Sequence, residues 1–219
     1  MKIQYFGHAA VGLTGRAGLA VLLDPYEPGA FGGKIGYGPI PGTWDIAIVS
    51  HEHLDHNHIA PSHGDPFVIK GPASHMGVDV KSFTVKHGDA GGTVDFESRI
   101  SSFVLDDIRV VHPGDMGKAP SPELAANLVG TDLVFLPVGG HFTMGPGEAM
   151  EFVSRVNPKV VVPVHYETPQ VNLPIRPLGD FLAETGSLPI RKFSSGEVEL
   201  TAGELPARTE IWVLPALAV

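Results

Sequence analysis

Short apolar runs rich in valine, isoleucine and leucine, separated by turns with glycine and proline, dominate the first half of the chain. Runs of this length and composition are typical of buried β-strands. They predict strands at residues 2–6, 19–23, 45–50, 67–70, 78–85, 100–105 and 108–111. Glycine and proline recur throughout the segment from Tyr26 to Gly42, which therefore predicts a long loop, and loops of that length are usually functional or mobile.

A different pattern begins at Ser121, where a capping serine precedes Pro122 and predicts a helix that runs to Leu128. Further helices are predicted at residues 147–156 and 177–185, and strands at 132–137, 159–164, 190–193, 197–200 and 209–214. Strands first, then strands alternating with helices, favour an α+β fold in which two packed sheets carry helices on their outer faces. Because no linker or internal repeat is visible, we expect one domain over residues 1–219.

Composition narrows the possible functions. The net charge is −9 and the 15 lysines and arginines are scattered, which argues against a protein that grips nucleic-acid phosphates. The absence of cysteine excludes disulfides and thiolate ligands, so a metal site would use imidazole and carboxylate. The sequence shows neither the long apolar segment of a signal peptide nor a membrane span, and we expect a cytoplasmic protein. Nothing in it indicates an oligomeric state.

The densest group of metal-binding side chains lies in residues 51–58, HEHLDHNH, as the pattern His51-x-His53-x-Asp55-His56. Such a cluster is costly to bury unless a cation satisfies it with several ligand bonds. It directly follows the strand predicted at 45–50, so the backbone can hold its side chains rigidly. A solvated polar loop is the alternative interpretation.

Further candidate ligands follow later strands. His87, Asp115 and His165 each come just after an apolar β segment, where strand ends would place them along one edge of the sheets. Any one of them alone is also compatible with a capping or turn residue. Their order after the first cluster favours a shared metal site.

These motifs together resemble the metallo-β-lactamase superfamily. The pattern at 51–56 is followed by a lone histidine and by the phrases VHPGDMG (111–117), LPVGGHFTM (136–144) and PKVVVPVHYET (158–168). That order is similar to the branch that contains the ascorbate-phosphate lactonase and ribonuclease Z. The resemblance implies a four-layer αββα sandwich, the metallo-β-lactamase fold, with two metal ions in the groove between the sheet edges.

The resemblance also implies a division of the ligands. One metal would be held by His51, His53 and His87, and the other by Asp55, His56 and His165, with Asp115 bridging both. His112 is the alternative to His87 as the third ligand of the first metal. Zinc is the expected ion, and manganese and iron also suit these ligand types. A water between two such ions has its pKa lowered from about 15.7 to about 7, so hydroxide is available at neutral pH.

The predicted activity is therefore a dinuclear metal-dependent hydrolase in which this hydroxide attacks a lactone, ester, amide or phosphoester of a small polar substrate. Asp55 is predicted to take part in catalysis as well as in metal binding. His112 and His141 are candidates for proton donation to the leaving group or for contact with a substrate phosphate, and hydrogen bonding behind the ligands is the alternative for both. His8 is either part of the site or a core histidine.

Asp24 is either an ordinary turn residue or an acceptor that orients a ligand imidazole, whereas His63 and His75 are predicted to lie on the surface. Two other functions use the same ligands: a diiron redox protein that reacts with oxygen, and a metal-binding protein without catalysis. The chain lacks a flavin-binding domain and the long insertion of ribonuclease Z, which disfavours redox and transfer-RNA chemistry. We expect the 26–42 loop and the residues around His141 to decide substrate specificity.

Overall fold

The computed structural model describes residues 1–88 and 96–218, and its centre consists of two β-sheets. Residues 89–95 and 219 of the predicted domain lie outside this description. The strands are β1 (Lys2–Gly7), β2 (Ala10–Thr14), β3 (Ala20–Leu23), β4 (Ile46–Ile48), β5 (Phe67–Ile69), β6 (Ala73–His75), β7 (Val78–Lys86), β8 (Glu97–Leu105), β9 (Ile108–His112), β10 (Leu133–Pro137), β11 (Val160–Val164), β12 (Ile190–Lys192), β13 (Glu197–Glu199) and β14 (Glu210–Val213).

The first sheet has six strands in the order β13-β1-β2-β3-β4-β5, and the second has eight in the order β12-β14-β11-β10-β9-β8-β7-β6. In the first sheet β1, β2 and β3 are antiparallel neighbours, and β4 is parallel to β3. Strands β1, β3 and β4 therefore run in one direction. The same reasoning gives one direction to β7, β9, β10 and β11 in the second sheet. Each sheet thus gathers several carboxyl-terminal strand ends at one edge.

The main core lies between the two sheets. Alternate residues of each strand face it, because successive side chains of a strand point to opposite faces. In β11, Val160 and Val162 join the central cluster with Phe135 of β10, whereas Val161 joins a second cluster on the other face. Ile3 and Ile46 contribute to the central cluster from the first sheet.

Helices cover the outer face of the second sheet. They are α2 (Pro122–Leu128), α3 (Pro146–Val156) and α4 (Leu178–Glu184), which contribute Leu128, Phe152 and Phe181 to the outer cluster. Ser121 caps α2 as predicted, because its hydroxyl oxygen accepts the backbone N–H of Leu124 at 3.2 Å. None of the helices in the described part of the chain is long and apolar enough to cross a membrane.

The outer face of the first sheet is covered by the predicted 26–42 loop. Tyr26, Ile35 and Tyr37 pack against Phe6 and Leu22 of the sheet. The loop's only regular element in the description is α1 (Ala30–Gly33), a single turn with left-handed residues inside it. The predicted α+β sandwich of two sheets is confirmed, with this loop as the layer that opposes the helices.

Two strands and one histidine differ from the sequence predictions. β2 and β6 were not predicted; in β2, Gly12 interrupts the apolar run because the Trp44 ring occupies the space of a side chain, with Cη2 only 2.3 Å from where a Cβ would lie. The surface position predicted for His63 is wrong. Its side chain is 1% exposed, and its ring nitrogens bond the Ile40 carbonyl at 3.0 Å and the Ala60 N–H at 3.2 Å. It is buried because a short 3-10 turn places it against the earlier segment 40–44, where the Trp44 N–H also donates to the His63 carbonyl.

Candidate metal centre

The candidate ligands lie at the edge where the carboxyl-terminal strand ends of both sheets meet. Each of the segments that supply them leaves a strand and turns at once, so the backbone of the sheet fixes the start of every ligand loop. The residues concerned are His8 after β1, Asp24 after β3, residues 50–56 after β4, His87 after β7, Asp115 after β9 and His165 after β11.

Several of these turns adopt left-handed backbone conformations. His8, Asp24 and His165 have φ values of 51°, 40° and 54°, which are uncommon for residues with a Cβ and concentrate at functional sites. Gly114 has φ +55°, and a Cβ there would lie 2.4 Å from the Cβ of Ser50. Only glycine allows the 111–117 segment to approach the first ligand loop this closely.

Three imidazoles form the first ligand group. Ring nitrogens of His51, His53 and His87 all lie within 4.8 Å of one another, and His51 Nε2 is 2.9 Å from His53 Nδ1. The structure therefore brings together the three residues predicted to hold the first metal.

The second group contains the three residues predicted for the second metal together with His8. Ligand atoms of His8, Asp55, His56 and His165 lie within 4.8 Å of one another. His56 Nε2 is 3.6 Å from Asp55 Oδ2, and the His56 and His165 rings are stacked with centroids 5.6 Å apart.

Asp115 lies between the two groups. Its Oδ2 is 3.2 Å from His87 Nε2 and 3.4 Å from His165 Nε2, and its Oδ1 is 3.3 Å from His56 Nε2. The Asp115 N–H donates to Ser98 Oγ at 3.0 Å, which fixes the backbone at this point. A carboxylate in this position can share its two oxygens between two cations.

Unpartnered polar atoms show that this cluster suits metal ions. Among the described residues, His56 Nε2, His87 Nε2, Asp55 Oδ1 and Asp115 Oδ1 are buried without a hydrogen-bond partner. Each such atom costs about 1–3 kcal/mol when left unsatisfied, and native proteins rarely gather several in one place. A divalent cation satisfies imidazole and carboxylate atoms together, so the donor set fits one.

A buried carboxylate behind the ligands orients them. Asp24 Oδ1 accepts the Ser50 N–H at 2.7 Å, and its Oδ2 accepts the Ser50 hydroxyl at 2.6 Å, His56 Nδ1–H at 2.9 Å and His112 Nε2–H at 2.8 Å. Because the Ser50 hydroxyl proton points to Asp24, its oxygen accepts Nδ1–H from His51 at 2.9 Å. His51 and His56 are therefore held in the tautomer that leaves Nε2 free as a ligand atom.

The protonation states agree with metal binding at most positions. Burial, reinforced by the neighbouring His56, lowers the pKa of His51 to about 3, so this imidazole is in the neutral form that metals require. For Asp115, burial raises the pKa, but the neighbouring His165 and His56 outweigh this effect and hold the pKa of the carboxyl well below its ordinary value. For His56, burial lowers the pKa, but the carboxylates of Asp115 and Asp55 outweigh this effect and raise the pKa well above its ordinary value. Those carboxylates favour any cation at His56 Nε2, whether a proton or a metal.

Neither predicted proton donor lies in the ligand groups of the described residues. His112 is 1% exposed and its Nε2–H is donated to Asp24, so the structure places His87, and not His112, beside His51 and His53. His141 is exposed, and its ring contacts Phe142 with centroids 4.4 Å apart. Their catalytic roles stay predictions, and the position of His112 suits the alternative of hydrogen bonding behind the ligands.

Three further residues contribute to the site. The sequence leaves two interpretations open for His8 and for Asp24, and the structure places both beside the candidate ligands. Ser50 gave no signal, because a serine at a strand end is common and its role depends on a partner 26 positions away in sequence.

The cluster opens to solvent beside His53. Its side chain is partly exposed, whereas the other residues of both ligand groups are buried. Leu54, 47% exposed, and Phe96, 53% exposed, lie next to it, and the Phe96 ring centroid is 5.0 Å from that of His53. In the described part of the chain, solvent therefore reaches the ligand groups beside His53.

Comparison with known proteins identifies the family to which the chain belongs. A family model described as the beta-lactamase superfamily domain matches residues 2–165. The chain belongs to the beta-lactamase superfamily. A UPF0173 metal-dependent hydrolase from Methanospirillum hungatei is 32% identical over 193 residues, which cover 77% of this chain and 84% of that protein. Another UPF0173 metal-dependent hydrolase, from Thermus thermophilus, is 31% identical over 216 residues, and the match covers 84% of this chain and 90% of that protein.

A solved structure shows that the similarity extends over nearly the whole chain. A protein from Thermotoga maritima, described as belonging to the metallo-beta-lactamase superfamily, superposes with a TM-score of 0.76 at 28% identity, and the match covers 97% of both chains. The superfamily and the metallo-β-lactamase fold predicted from the sequence are confirmed. The predicted class of enzyme is confirmed as well, because both of these relatives are named metal-dependent hydrolases.

Proposed function

We propose that this metallo-β-lactamase superfamily member uses a two-metal site to hydrolyse a small polar substrate that carries a lactone, ester or phosphoester. The observation that carries the proposal is the position of Asp115. Its carboxylate is 3.2 Å from His87 of the first group and 3.3 Å from His56 of the second, so one side chain reaches both halves of the cluster.

The two groups differ in charge, which suits different tasks. His51, His53 and His87 would give one ion three neutral imidazoles, with the shared Asp115 as its only anionic protein ligand, which keeps much of its positive charge and an open position. Asp55, His56 and His165 would hold the other, and Asp115 would reduce the repulsion between the two. Two divalent ions, expected to be zinc, would supply hydroxide at neutral pH and stabilise a developing oxyanion.

The chain's own residues orient and shield this site. Asp24 and Ser50 hold His51 and His56 with their Nε2 atoms free. The surrounding burial limits water access to the side of His53, where Leu54 and Phe96 border the opening. An opening of this kind suits a small molecule, and the net charge of −9 disfavours nucleic acid.

The test combines metal analysis with a substrate screen. Elemental analysis of the purified protein should find two zinc, manganese or iron ions per chain, and a screen of lactones, esters and phosphoesters should find turnover. Asp115→Ala should then abolish hydrolysis of the best substrate and reduce the metal content. Asp107→Ala, at an exposed aspartate with a side chain 81% accessible, is the matched control and should leave both unchanged.

Undiminished hydrolysis by Asp115→Ala would contradict the proposal. Two iron ions with an absorbance change on exposure to oxygen, and no turnover in the screen, would favour the diiron redox function in its place.

A further inference from the structure

His8 lies inside the second ligand group although it precedes the main cluster by more than forty positions in sequence. Its side chain is 0% exposed, and its Nε2 is 2.8 Å from Asp55 Oδ2. The His8 ring also lies against His165, with centroids 4.1 Å apart. A histidine so close to two candidate ligands either binds the metal or controls a residue that does.

The backbone of His8 is held on several sides. Its φ of 51° is left-handed, and its carbonyl accepts the His165 N–H at 2.8 Å and the Tyr5 hydroxyl at 3.0 Å. The preceding Gly7 has φ +102°, and a Cβ there would lie 2.4 Å from Tyr37 Cζ. This turn is therefore fixed by its neighbours, and with it the direction of the imidazole.

The chemistry of the contact assigns its direction. A carboxylate only accepts hydrogen bonds, so His8 must carry its proton on Nε2 and donate it to Asp55 Oδ2. The other ring nitrogen, Nδ1, is buried without a partner among the described residues. Asp55 Oδ1 is also buried and unpartnered, so one carboxylate oxygen is engaged and the other is free.

We propose that His8 is a positioning residue that fixes the orientation of the Asp55 carboxylate for metal binding. The inference rests on the proposed two-metal site. By donating to Oδ2 at 2.8 Å, the imidazole prevents the carboxylate from rotating away from His56 Nε2, which lies 3.6 Å from the same oxygen. Residues that orient metal ligands in this way typically change metal affinity by about 10–100-fold when they are removed.

The experiment uses the full chain, stripped with a chelator and titrated with Co²⁺, whose visible absorption reports coordination number. His8→Phe removes the donor and keeps an aromatic ring, and His8→Gln keeps an N–H donor near the position of Nε2. His63→Phe is the matched control, because His63 is also a buried histidine but bonds Ile40 and Ala60 outside the cluster. Circular dichroism verifies that each variant is folded.

We expect His8→Phe to weaken the second Co²⁺ equivalent by about 10–100-fold and to leave the first equivalent, at His51, His53 and His87, unchanged. His8→Gln should restore most of the affinity, because its amide N–H can donate to Asp55 Oδ2 in place of the imidazole. His63→Phe should change neither, even if it lowers the stability of the fold.

Other results would overturn the proposal. Equal affinity for the second ion in His8→Phe and the unmodified chain would show that Asp55 needs no such partner. Stronger visible bands in His8→Phe and no rescue in His8→Gln would show that His8 is itself a ligand. A single Co²⁺ per unmodified chain would contradict the two-metal site, and with it this role of His8.

Discussion

Replacing Asp24 by asparagine tests the network behind the ligands. The carboxylate is fully buried and accepts four hydrogen bonds, from the Ser50 N–H and hydroxyl and from His56 and His112. An asparagine in the same place must turn its NH₂ group either toward the single N–H at Oδ1 or toward the three donors at Oδ2. The first orientation costs less free energy. It still places the asparagine NH₂ group against the Ser50 N–H, so that two donors face each other without an acceptor.

The expected cost follows from these contacts. One unsatisfied buried N–H costs about 1–3 kcal/mol, and replacing a charged acceptor by a neutral one weakens each of the two histidine bonds by roughly 1 kcal/mol. The free energy of unfolding of the metal-free protein should therefore fall by about 3–5 kcal/mol, which is within the range for breaking a buried charged network. Both metal affinities should fall by about 10–100-fold, because the His51 and His56 tautomers are no longer fixed.

Urea unfolding of the chelator-treated protein measures the free energy of unfolding, and titration in metal buffers measures the metal affinities. Asp45→Asn is a matched control, since among the described residues the Asp45 side chain accepts one bond, from the Ala20 N–H at 2.8 Å. The asparagine oxygen can accept the same N–H, so this change should cost no more than about 1 kcal/mol and leave metal binding unchanged. If Asp24→Asn unfolded at the same urea concentration as the unmodified chain and bound metal equally well, the orienting role derived for Asp24 would be refuted.

Three further predictions follow from the site. Removing the metals with a chelator should lower the free energy of unfolding by about 4 kcal/mol for each ion present at a thousand times its dissociation constant; an unchanged melting temperature by calorimetry would contradict metal binding in the folded state. Burial lowers the pKa values of His51 to about 3 and His8 to about 4. Because the unfolded chain binds protons at these positions near pH 6.5 and the folded chain does not, the metal-free protein should lose stability as the pH falls from about 6.5 to about 4, measured by urea unfolding; a flat profile would refute these shifts. Phe96→Ala should raise KM for substrates with an apolar group and leave kcat unchanged, and an equal KM would show that substrates do not use this side of the opening.

The grouping of the candidate ligands was predictable because it depends on local features of the sequence. His87, Asp115 and His165 each follow an apolar strand, and parallel strand ends meet at one edge of a sheet, so order along the chain translates into proximity. The geometry is also consistent with His87 and not His112 as the third ligand of the first metal. His112 is still part of β9, and its ring donates to Asp24.

The residues that orient the ligands were harder to predict because their roles depend on distant partners. Ser50 and His8 acquire their functions from Asp24 and Asp55, which lie 26 and 47 positions away. The burial of His63 depends in the same way on its contact with the earlier segment 40–44. Periodicity along the chain carries no information about such contacts, and it also missed β2, where Gly12 accommodates the Trp44 ring.

The ligand loops arise from different sheets, with the 51–56 cluster on the first and His87, Asp115 and His165 on the second. Metal binding is therefore thermodynamically coupled to the packing of one sheet on the other. A cavity made in the central core, such as by Phe135→Ala, should loosen the sandwich and weaken metal affinity without changing a candidate ligand. Conversely, bound metal should protect the amides of the inner strands from hydrogen exchange, so the ions would act as a non-covalent cross-link in a chain that has no cysteine.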